Sequence, residues 1–293
     1  QGDVGAGKTL VAVATMLAAV QGGHQAALMA PTEVLADQHA IGIRALLDSL
    51  RLSDQGNLFG DRQLRIELLT NKVKGAERKA ILAGIADGSV DIAIGTHALI
   101  QDKVSFKSLG VVVVDEQHRF GVEQRSRLRD KAQESEHGLV PDVLVMTATP
   151  IPRTLAMSYY ADLDVSTLDE LPPGRTPVVT KLIAETRRDE LIARIRQQLE
   201  EGRQVYWVCP LIEESEALDL TNATETHALL TEALNPPGAK PVMVGLLHSR
   251  MPPAEKKAVM ALFESGTMGV LVSTTVIEVG VDVPNASLMV IEH

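Results

Sequence analysis

The sequence predicts an α/β protein that consists of two units, each with a parallel sheet covered by helices on both faces. Short apolar runs alternate with helical patterns along the chain, polar residues follow the ends of several runs, and one proline-rich segment divides the series. Alternating strands and helices imply parallel strands, because the helix makes the crossover between them. Polar residues beyond the carboxyl ends of such strands lie where open α/β sheets bind ligands.

The chain opens with a phosphate-binding pattern. Residues 2–9 read Gly-Asp-Val-Gly-Ala-Gly-Lys-Thr and fit G-x-x-x-x-G-K-[ST], although a glycine-rich turn is the alternative interpretation. Glycine lets backbone N–H groups approach a polyphosphate, Lys8 would reach the β- and γ-phosphates, and the Thr9 hydroxyl would hold Mg²⁺. A helix over 10–20 would direct the positive end of its dipole at the anion. The residues expected to bind nucleotide are Gly2, Gly5, Gly7, Lys8 and Thr9.

Strand and helix patterns then alternate up to residue 146. Thr32 is a candidate N-cap for the helix that follows the first apolar run. The predicted strands cover residues 25–30, 64–69, 90–94, 110–114 and 143–146, and the predicted helices cover 33–50 and 74–87. A strand should precede the phosphate loop, and the sequence opens on the loop itself, so we expect the chain to be a fragment.

A linker separates the two units. Residues 171–177, Leu-Pro-Pro-Gly-Arg-Thr-Pro, contain three prolines and a glycine, which exclude a helix or a central strand. The predicted domains are therefore 1–170 and 178–293. In the second, the predicted strands cover 178–183, 204–209, 241–247, 270–273 and 287–291, and the predicted helices cover 187–201, 216–234 and 253–265.

Two carboxylates supply what a phosphate loop requires. Asp115 and Glu116 follow four valines at a predicted strand end. Asp115 would share Mg²⁺ with Thr9, and Glu116 would polarise the water that attacks the γ-phosphate. The alternative, an acidic pair that begins a solvated loop, is less favoured after a phosphate loop.

Hydroxyl residues follow two further strands. Thr147 and Thr149 could relay a γ-phosphate-dependent shift, or form a turn that closes with Pro150. Residues 273–285 could contact nucleic-acid phosphates, with Asp282 near a bound nucleotide, or could be a plain connector. The histidines at strand ends, His97, His118 and His248, show no metal-binding spacing.

Composition excludes several classes of protein. Cys209 is the only cysteine, so neither an internal disulfide nor a cysteine-based zinc site is possible, and a reducing cytoplasm is expected. No apolar run approaches the length of a membrane span. The net charge of −10 argues against a general polyanion binder, although a few local sites could still contact DNA.

Several strings resemble one family closely. The order of motifs is similar to that of superfamily 2 helicases and translocases, which use two RecA-like P-loop NTPase domains. Residues 115–122, 146–155, 169–177, 205–215 and 274–285 resemble the RecG family of bacterial ATP-dependent DNA helicases. The resemblance covers the whole chain. The sibling transcription-repair coupling factors share part of 115–122 and 146–155 but not the proline-rich string or Trp-Val-Cys.

The resemblance implies a motor that tracks along double-stranded DNA with ATP and Mg²⁺, and that regresses stalled forks and migrates Holliday junctions. Its partners would be branched DNA and single-stranded DNA-binding protein, in the bacterial cytoplasm on the nucleoid. By the same resemblance, the catalytic residues would be Lys8, Asp115, Glu116 and His118, and the residues that couple ATP to DNA would be Gln117, His118, Thr147 and Thr149. The residues that contact DNA would be Thr32, Thr96 and Thr275. Gly280 and Asp282 would face the nucleotide from the second domain.

The chain departs from the family pattern at three positions: Ala6 replaces a usual serine, and Asn71 and Ser249 stand where glycine is typical. The resemblance places a DNA-binding wedge domain and an adenine-recognition region before Gln1. It places an arginine finger after His293, in the missing part of the second domain. In related systems such an arginine raises the rate of hydrolysis by roughly 10³–10⁵-fold.

Three functions follow as hypotheses. The first is a RecG-type motor core, and the second is a transcription-coupled translocase that acts on RNA polymerase. The third is a nucleotide-gated binding protein without turnover, which Lys8 and Glu116 argue against in the parent protein. For the chain alone we expect weak activity, because the arginine finger lies outside it.

Overall fold

The computed structural model describes residues 1–48, 51–52, 62–101, 103–116, 140–148, 164–170, 176–209, 216–248, 250–274, 283 and 285–292. The chain divides into two compact units, Gln1–Pro177 and Val178–His293. In the described part, no helix is both long and apolar enough to cross a membrane.

Unit 1 contains a five-stranded parallel sheet with the order β4-β5-β1-β6-β7. Its strands are β1 (Gln25–Met29), β4 (Ile66–Leu69), β5 (Ile92–Gly95), β6 (Leu109–Asp115) and β7 (Asp142–Met146), and its helices are α1 (Lys8–Gln21), α2 (Glu33–Leu47) and α3 (Gly75–Asp87). A short 3₁₀ helix covers His97–Ile100. Two apolar clusters cover the two faces of the sheet, as a parallel sheet requires.

The central strands are buried along their length because their residues are apolar on both faces. Every residue of β1 and β5 is buried, and β6 is buried from Val111 to Asp115. Gly95 allows the close approach of β5 to β4, since a Cβ at that position would lie 2.2 Å from the Leu69 carbonyl oxygen. This packing places the carboxyl ends of the strands at one edge.

Unit 2 contains a four-stranded parallel sheet with the order β11-β8-β10-β9. The strands are β8 (Gln204–Cys209), β9 (Val244–Leu247), β10 (Val270–Thr274) and β11 (Ala286–Ile291), and the helices are α4 (Arg188–Glu200), α5 (Glu216–Leu234) and α6 (Pro253–Glu264). The prediction of two parallel α/β units is confirmed.

One predicted element is wrong, because the structure has no strand over residues 178–183. This stretch is extended but exposed: Val178 and Val179 are 81% and 75% exposed, and Leu182 is fully exposed. Strand propensity reflects packing on a half-buried sheet, and no described strand pairs with this stretch. The sequence also did not predict the short antiparallel pair of β2 (Arg51–Leu52) and β3 (Arg62–Gln63).

Candidate nucleotide-binding site

The glycine-rich loop leads directly into α1, as the motif predicts. Gly5 and Gly7 have φ values of 80° and 93°, in the left-handed region that glycine adopts without strain. Gly7 is the N-cap of α1, and Lys8 is the first helical residue. The first turn of α1 carries no acidic side chain. The amide groups and the dipole of α1 therefore present positive potential at the loop.

The Lys8 side chain folds back over the loop. Its Nζ donates to the carbonyl oxygens of Gly2 at 2.7 Å and Asp3 at 2.9 Å. The ammonium group is thus held across the loop by neutral acceptors. An anion would be a stronger partner for it, because hydrogen bonds between charged groups are about twice as strong as neutral ones.

The loop is attached to the carboxyl edge of the sheet. The Gly2 amide donates to the Thr147 carbonyl oxygen at 3.2 Å, directly after β7, and Gly2 pairs with Leu168 in an isolated parallel bridge. A Cβ on Gly2 would lie 2.9 Å from the Leu168 Cβ, so a larger residue would disturb this contact. Met146 is the register partner of Asp115 in β6. The fold therefore brings the loop to the strand ends that carry Asp115 and Thr147.

Asp115 is buried at the end of β6 and both of its carboxylate oxygens are held. Oδ1 accepts from the Glu116 amide at 3.0 Å, and Oδ2 lies 2.8 Å from Nε2 of His39. Glu116 has a φ of 49°, which is uncommon outside glycine and is typical of functional sites. The two carboxylates thus leave the strand in a defined and strained turn.

His39 is a residue of this site that sequence reasoning missed. It lies on α2, 76 positions before Asp115 in the sequence. A lone histidine within a helical pattern carries no spacing signal, and only the packing of α2 against the sheet brings it to β6.

The donor set fits Mg²⁺. A threonine hydroxyl and a carboxylate are the hard oxygen ligands that Mg²⁺ takes, usually together with water and substrate phosphates. Thr9 is exposed at the start of α1, and Asp115 lies at the neighbouring strand end. Within the described ranges, no three His, Cys, Asp or Glu residues cluster as a metal site made of protein alone.

The predicted DNA contacts Thr32 and Thr96 follow adjacent strands. Met29 of β1 pairs with Gly95 of β5, and the Ala30 amide donates to the Gly95 carbonyl oxygen at 2.8 Å. The Thr32 hydroxyl caps α2 by accepting from the Leu35 amide. The Thr96 hydroxyl is buried and has no hydrogen-bond partner among the described residues. Such a group is costly to leave unpaired, which suits a position that meets a ligand.

Residues beside these threonines are already ordered by side-chain contacts. Asn71 Nδ2 lies 3.1 Å from His97 Nε2, and Lys72 pairs with Glu33 at 2.9 Å. The hydrogen bond from Lys72 to this glutamate raises the pKa of the amine above its ordinary value. A basic group therefore stands at this edge of an acidic chain.

Six predicted functional residues lie outside the described residues. They are Gln117, His118, Thr149, Thr275, Gly280 and Asp282. Their assigned roles remain predictions.

Comparisons with known proteins identify the same two parts. The family model described as "DEAD/DEAH box helicase" matches residues 1–158, and the model described as "Helicase conserved C-terminal domain" matches residues 187–293. The chain is 54% identical to the ATP-dependent DNA helicase RecG of Acidithiobacillus ferridurans and 53% identical to that of Escherichia coli strain K12. Each alignment covers 100% of this chain and 40% of the relative.

A solved structure titled "Structure of RecG bound to three-way DNA junction" is also similar. It aligns with a TM-score of 0.73 and 39% identity over 99% of this chain and 34% of that chain. The DNA-bound helicase MrfA aligns with a TM-score of 0.68 at 18% identity, which supports the fold alone. The chain therefore spans about two fifths of the length of these relatives, or less.

Proposed function

We propose that this chain, which belongs to the DEAD/DEAH box helicase family, carries most of the ATP-hydrolysing core of a double-stranded-DNA translocase that remodels branched DNA. The observation that carries the proposal is the attachment of the glycine-rich loop to the end of β7, beside the end of β6 that bears Asp115 and Glu116. A phosphate cradle and two carboxylates at one sheet edge form the constellation that nucleotide hydrolysis requires.

Each residue has a distinct task in this proposal. The loop amides and Lys8 bind and orient the phosphates, and Thr9 and Asp115 hold Mg²⁺. The metal neutralises charge on the phosphate oxygens when it is bound. Glu116 accepts the proton of the attacking water. The Thr147 carbonyl oxygen bonds the Gly2 amide, so Thr147 would pass a movement of the phosphate loop on to the end of β7.

The DNA part of the proposal is supported by the strand-end residues and by the relatives. Thr32 and Thr96 share one edge, and the buried Thr96 hydroxyl, which has no partner among the described residues, would donate to a phosphate oxygen. The relatives at 48–54% identity are RecG helicases, which favours stalled-fork regression and Holliday-junction migration over action on RNA polymerase. The parent protein would work in the bacterial cytoplasm on the nucleoid, with single-stranded DNA-binding protein as a partner. These last assignments are supported by the resemblance only.

The decisive experiment measures ATP hydrolysis by the full-length parent protein with a model fork and with a linear duplex of equal length. We expect faster hydrolysis with the fork. Absence of any stimulation, at a protein concentration where ATP binding is demonstrated, would refute the branched-DNA function. The 293-residue chain measured in parallel should hydrolyse ATP far more slowly than the parent, and equal rates would show that no further residue is needed.

A further inference from the structure

We infer that His39 is a positioning residue that holds the Asp115 carboxylate in the orientation required for Mg²⁺. The inference rests on the proposed function, because it assigns a task within the nucleotide site. It adds a residue that neither the motif nor the resemblance supplied.

Two separate contacts hold the two carboxylate oxygens of Asp115. The Glu116 amide holds Oδ1 at 3.0 Å, but this contact comes from the next residue along the chain. His39 holds Oδ2 at 2.8 Å and comes from a separate helix. The contact from Glu116 belongs to the same turn as Asp115, whereas the contact from His39 ties the carboxylate to a separate helix.

The contact between His39 and Asp115 is largely shielded from solvent. The side chains of His39 and Asp115 are only 13% and 12% exposed. Water therefore has little access to replace the imidazole if it is removed. Each carboxylate oxygen has two lone pairs, so the contacts to His39 and Glu116 leave acceptor sites for a cation or its bound water.

The position of α2 on the sheet does not depend on His39. The buried residues Ala36, Ala40, Ile43 and Leu47 pack α2 against the sheet, and the Thr32 hydroxyl caps its start. The small side chains of Ala36 and Ala40 bring the helix backbone close to the sheet, which lets the imidazole reach the end of β6. A substitution at His39 therefore removes the contact with Asp115 while the core contacts of α2 remain.

The test measures metal binding directly rather than ATP turnover. Mn²⁺, an oxygen-binding substitute for Mg²⁺ with an electron paramagnetic resonance signal, is titrated into the full-length parent protein with a non-hydrolysable ATP analogue present. Groups that orient a metal ligand typically change metal affinity by about 10–100-fold when they are removed. We therefore expect His39→Leu to weaken nucleotide-dependent Mn²⁺ binding by about 10–100-fold.

Two further variants separate positioning from bulk structure. His39→Gln can place an amide N–H near the Nε2 position and should restore most of the affinity, whereas His39→Asn is too short and should not. His24→Leu is the control, because His24 also bonds a side chain in unit 1, Ser108 at 2.8 Å, but lies before β1 at the opposite sheet edge. It should leave Mn²⁺ binding unchanged.

The outcomes distinguish this inference from the proposed function. If the unmodified parent protein binds the nucleotide and Mn²⁺ and His39→Leu binds them equally well, the inference is wrong and the proposed function stands. If Gln and Asn have the same effect, the hydrogen bond is not the cause and the inference is again wrong. If the unmodified parent protein shows no nucleotide-dependent Mn²⁺ binding, the proposed function fails and the inference fails with it. Should the Leu variant not fold, the contrast between Gln and Asn decides alone.

Discussion

The two units share a strand arrangement but differ at the carboxyl edge. The order β4-β5-β1-β6 of unit 1 corresponds to β9-β10-β8-β11 of unit 2. The helix before the central strand begins at Lys8 in one unit and at Arg188 in the other. In unit 1, Lys8 bonds only to loop carbonyl groups among the residues that the structure describes. In unit 2, Arg188 bonds Glu292 at 2.6 Å, directly after β11.

This difference shows how one framework serves two purposes. Glu292 also accepts from the Thr226 hydroxyl, and the Cys209 thiol lies 3.4 Å from it. The Arg188 guanidinium stacks 5.4 Å from the Trp207 ring centroid. At the place where unit 1 carries the glycine-rich loop, unit 2 pairs charged side chains with each other. Only unit 1 should therefore bind a nucleotide through its own loop.

The opposite edges of the two units are alike. Gln25 is the first residue of β1, and its amide donates to the Ile85 and Val90 carbonyl oxygens. Gln204 is the first residue of β8, and its amide donates to the Phe263 and Met268 carbonyl oxygens. In both units a buried glutamine thus holds the end of a helix against the start of the central strand.

The largest expected effect tests the chemistry of unit 1. Glu116→Gln should lower ATP hydrolysis by the full-length parent by about 10²–10⁴-fold, because it removes the proton acceptor for the attacking water. ATP binding should remain, since the loop is unchanged. Single-turnover hydrolysis and equilibrium binding of a fluorescent ATP analogue separate the two quantities. Unchanged hydrolysis would remove Glu116 from the mechanism.

A matched pair of substitutions tests the contrast between the helix starts. Lys8→Ala should weaken binding of a fluorescent ATP analogue by about 10-fold or more, because a charged contact to phosphate contributes about 1.5–3 kcal/mol. Arg188→Ala should leave that binding unchanged and shift the emission of Trp207, the only tryptophan in the chain. Equal losses of nucleotide affinity in both variants would contradict the assignment of the site to unit 1.

A second pair tests the likeness of the opposite edges. Gln25→Leu should destabilise unit 1 by about 3 kcal/mol, because it leaves several buried backbone groups without partners. The side-chain oxygen Oε1 of Gln25 also accepts from the Lys107 and Ser108 amides, whereas Oε1 of Gln204 has no partner among the described residues. Gln204→Leu should therefore cost less. Urea unfolding of both variants gives the comparison, and a larger cost at Gln204 would contradict it.

The effect of the thiol of unit 2 is the smallest at neutral pH, because it develops only under alkaline conditions. Burial, with the nearby Glu292 carboxylate, raises the pKa of Cys209 from 9.0 to about 12. The unfolded chain loses this proton above pH 9 while the folded chain retains it, so this thiol should lower stability as pH rises from 9 to about 12. Denaturant unfolding of the chain and of Cys209→Ala across this pH range isolates the contribution of the thiol to the free energy of unfolding. Identical pH dependence of the two proteins would show that the thiol does not contribute.

The sequence predicted the features that depend on neighbouring residues. The loop at 2–9 requires left-handed glycines, and the structure places them at Gly5 and Gly7. The Thr32 cap and the strand ending at Asp115 follow from local patterns as well. The predicted strand at 178–183 failed because apolar, β-branched residues indicate a strand only when a partner strand and a core receive them.

The order of the elements, the phosphate loop and the acidic pair can be predicted from the sequence, because hydrophobic period, glycine conformation and helix capping act over a few residues. The contacts between distant residues depend on the tertiary structure: His39 with Asp115, Gln25 with Ile85 in the helix before β5, and Arg188 with Glu292. These contacts form because packing of whole helices on the sheet fixes distances that no sequence spacing records.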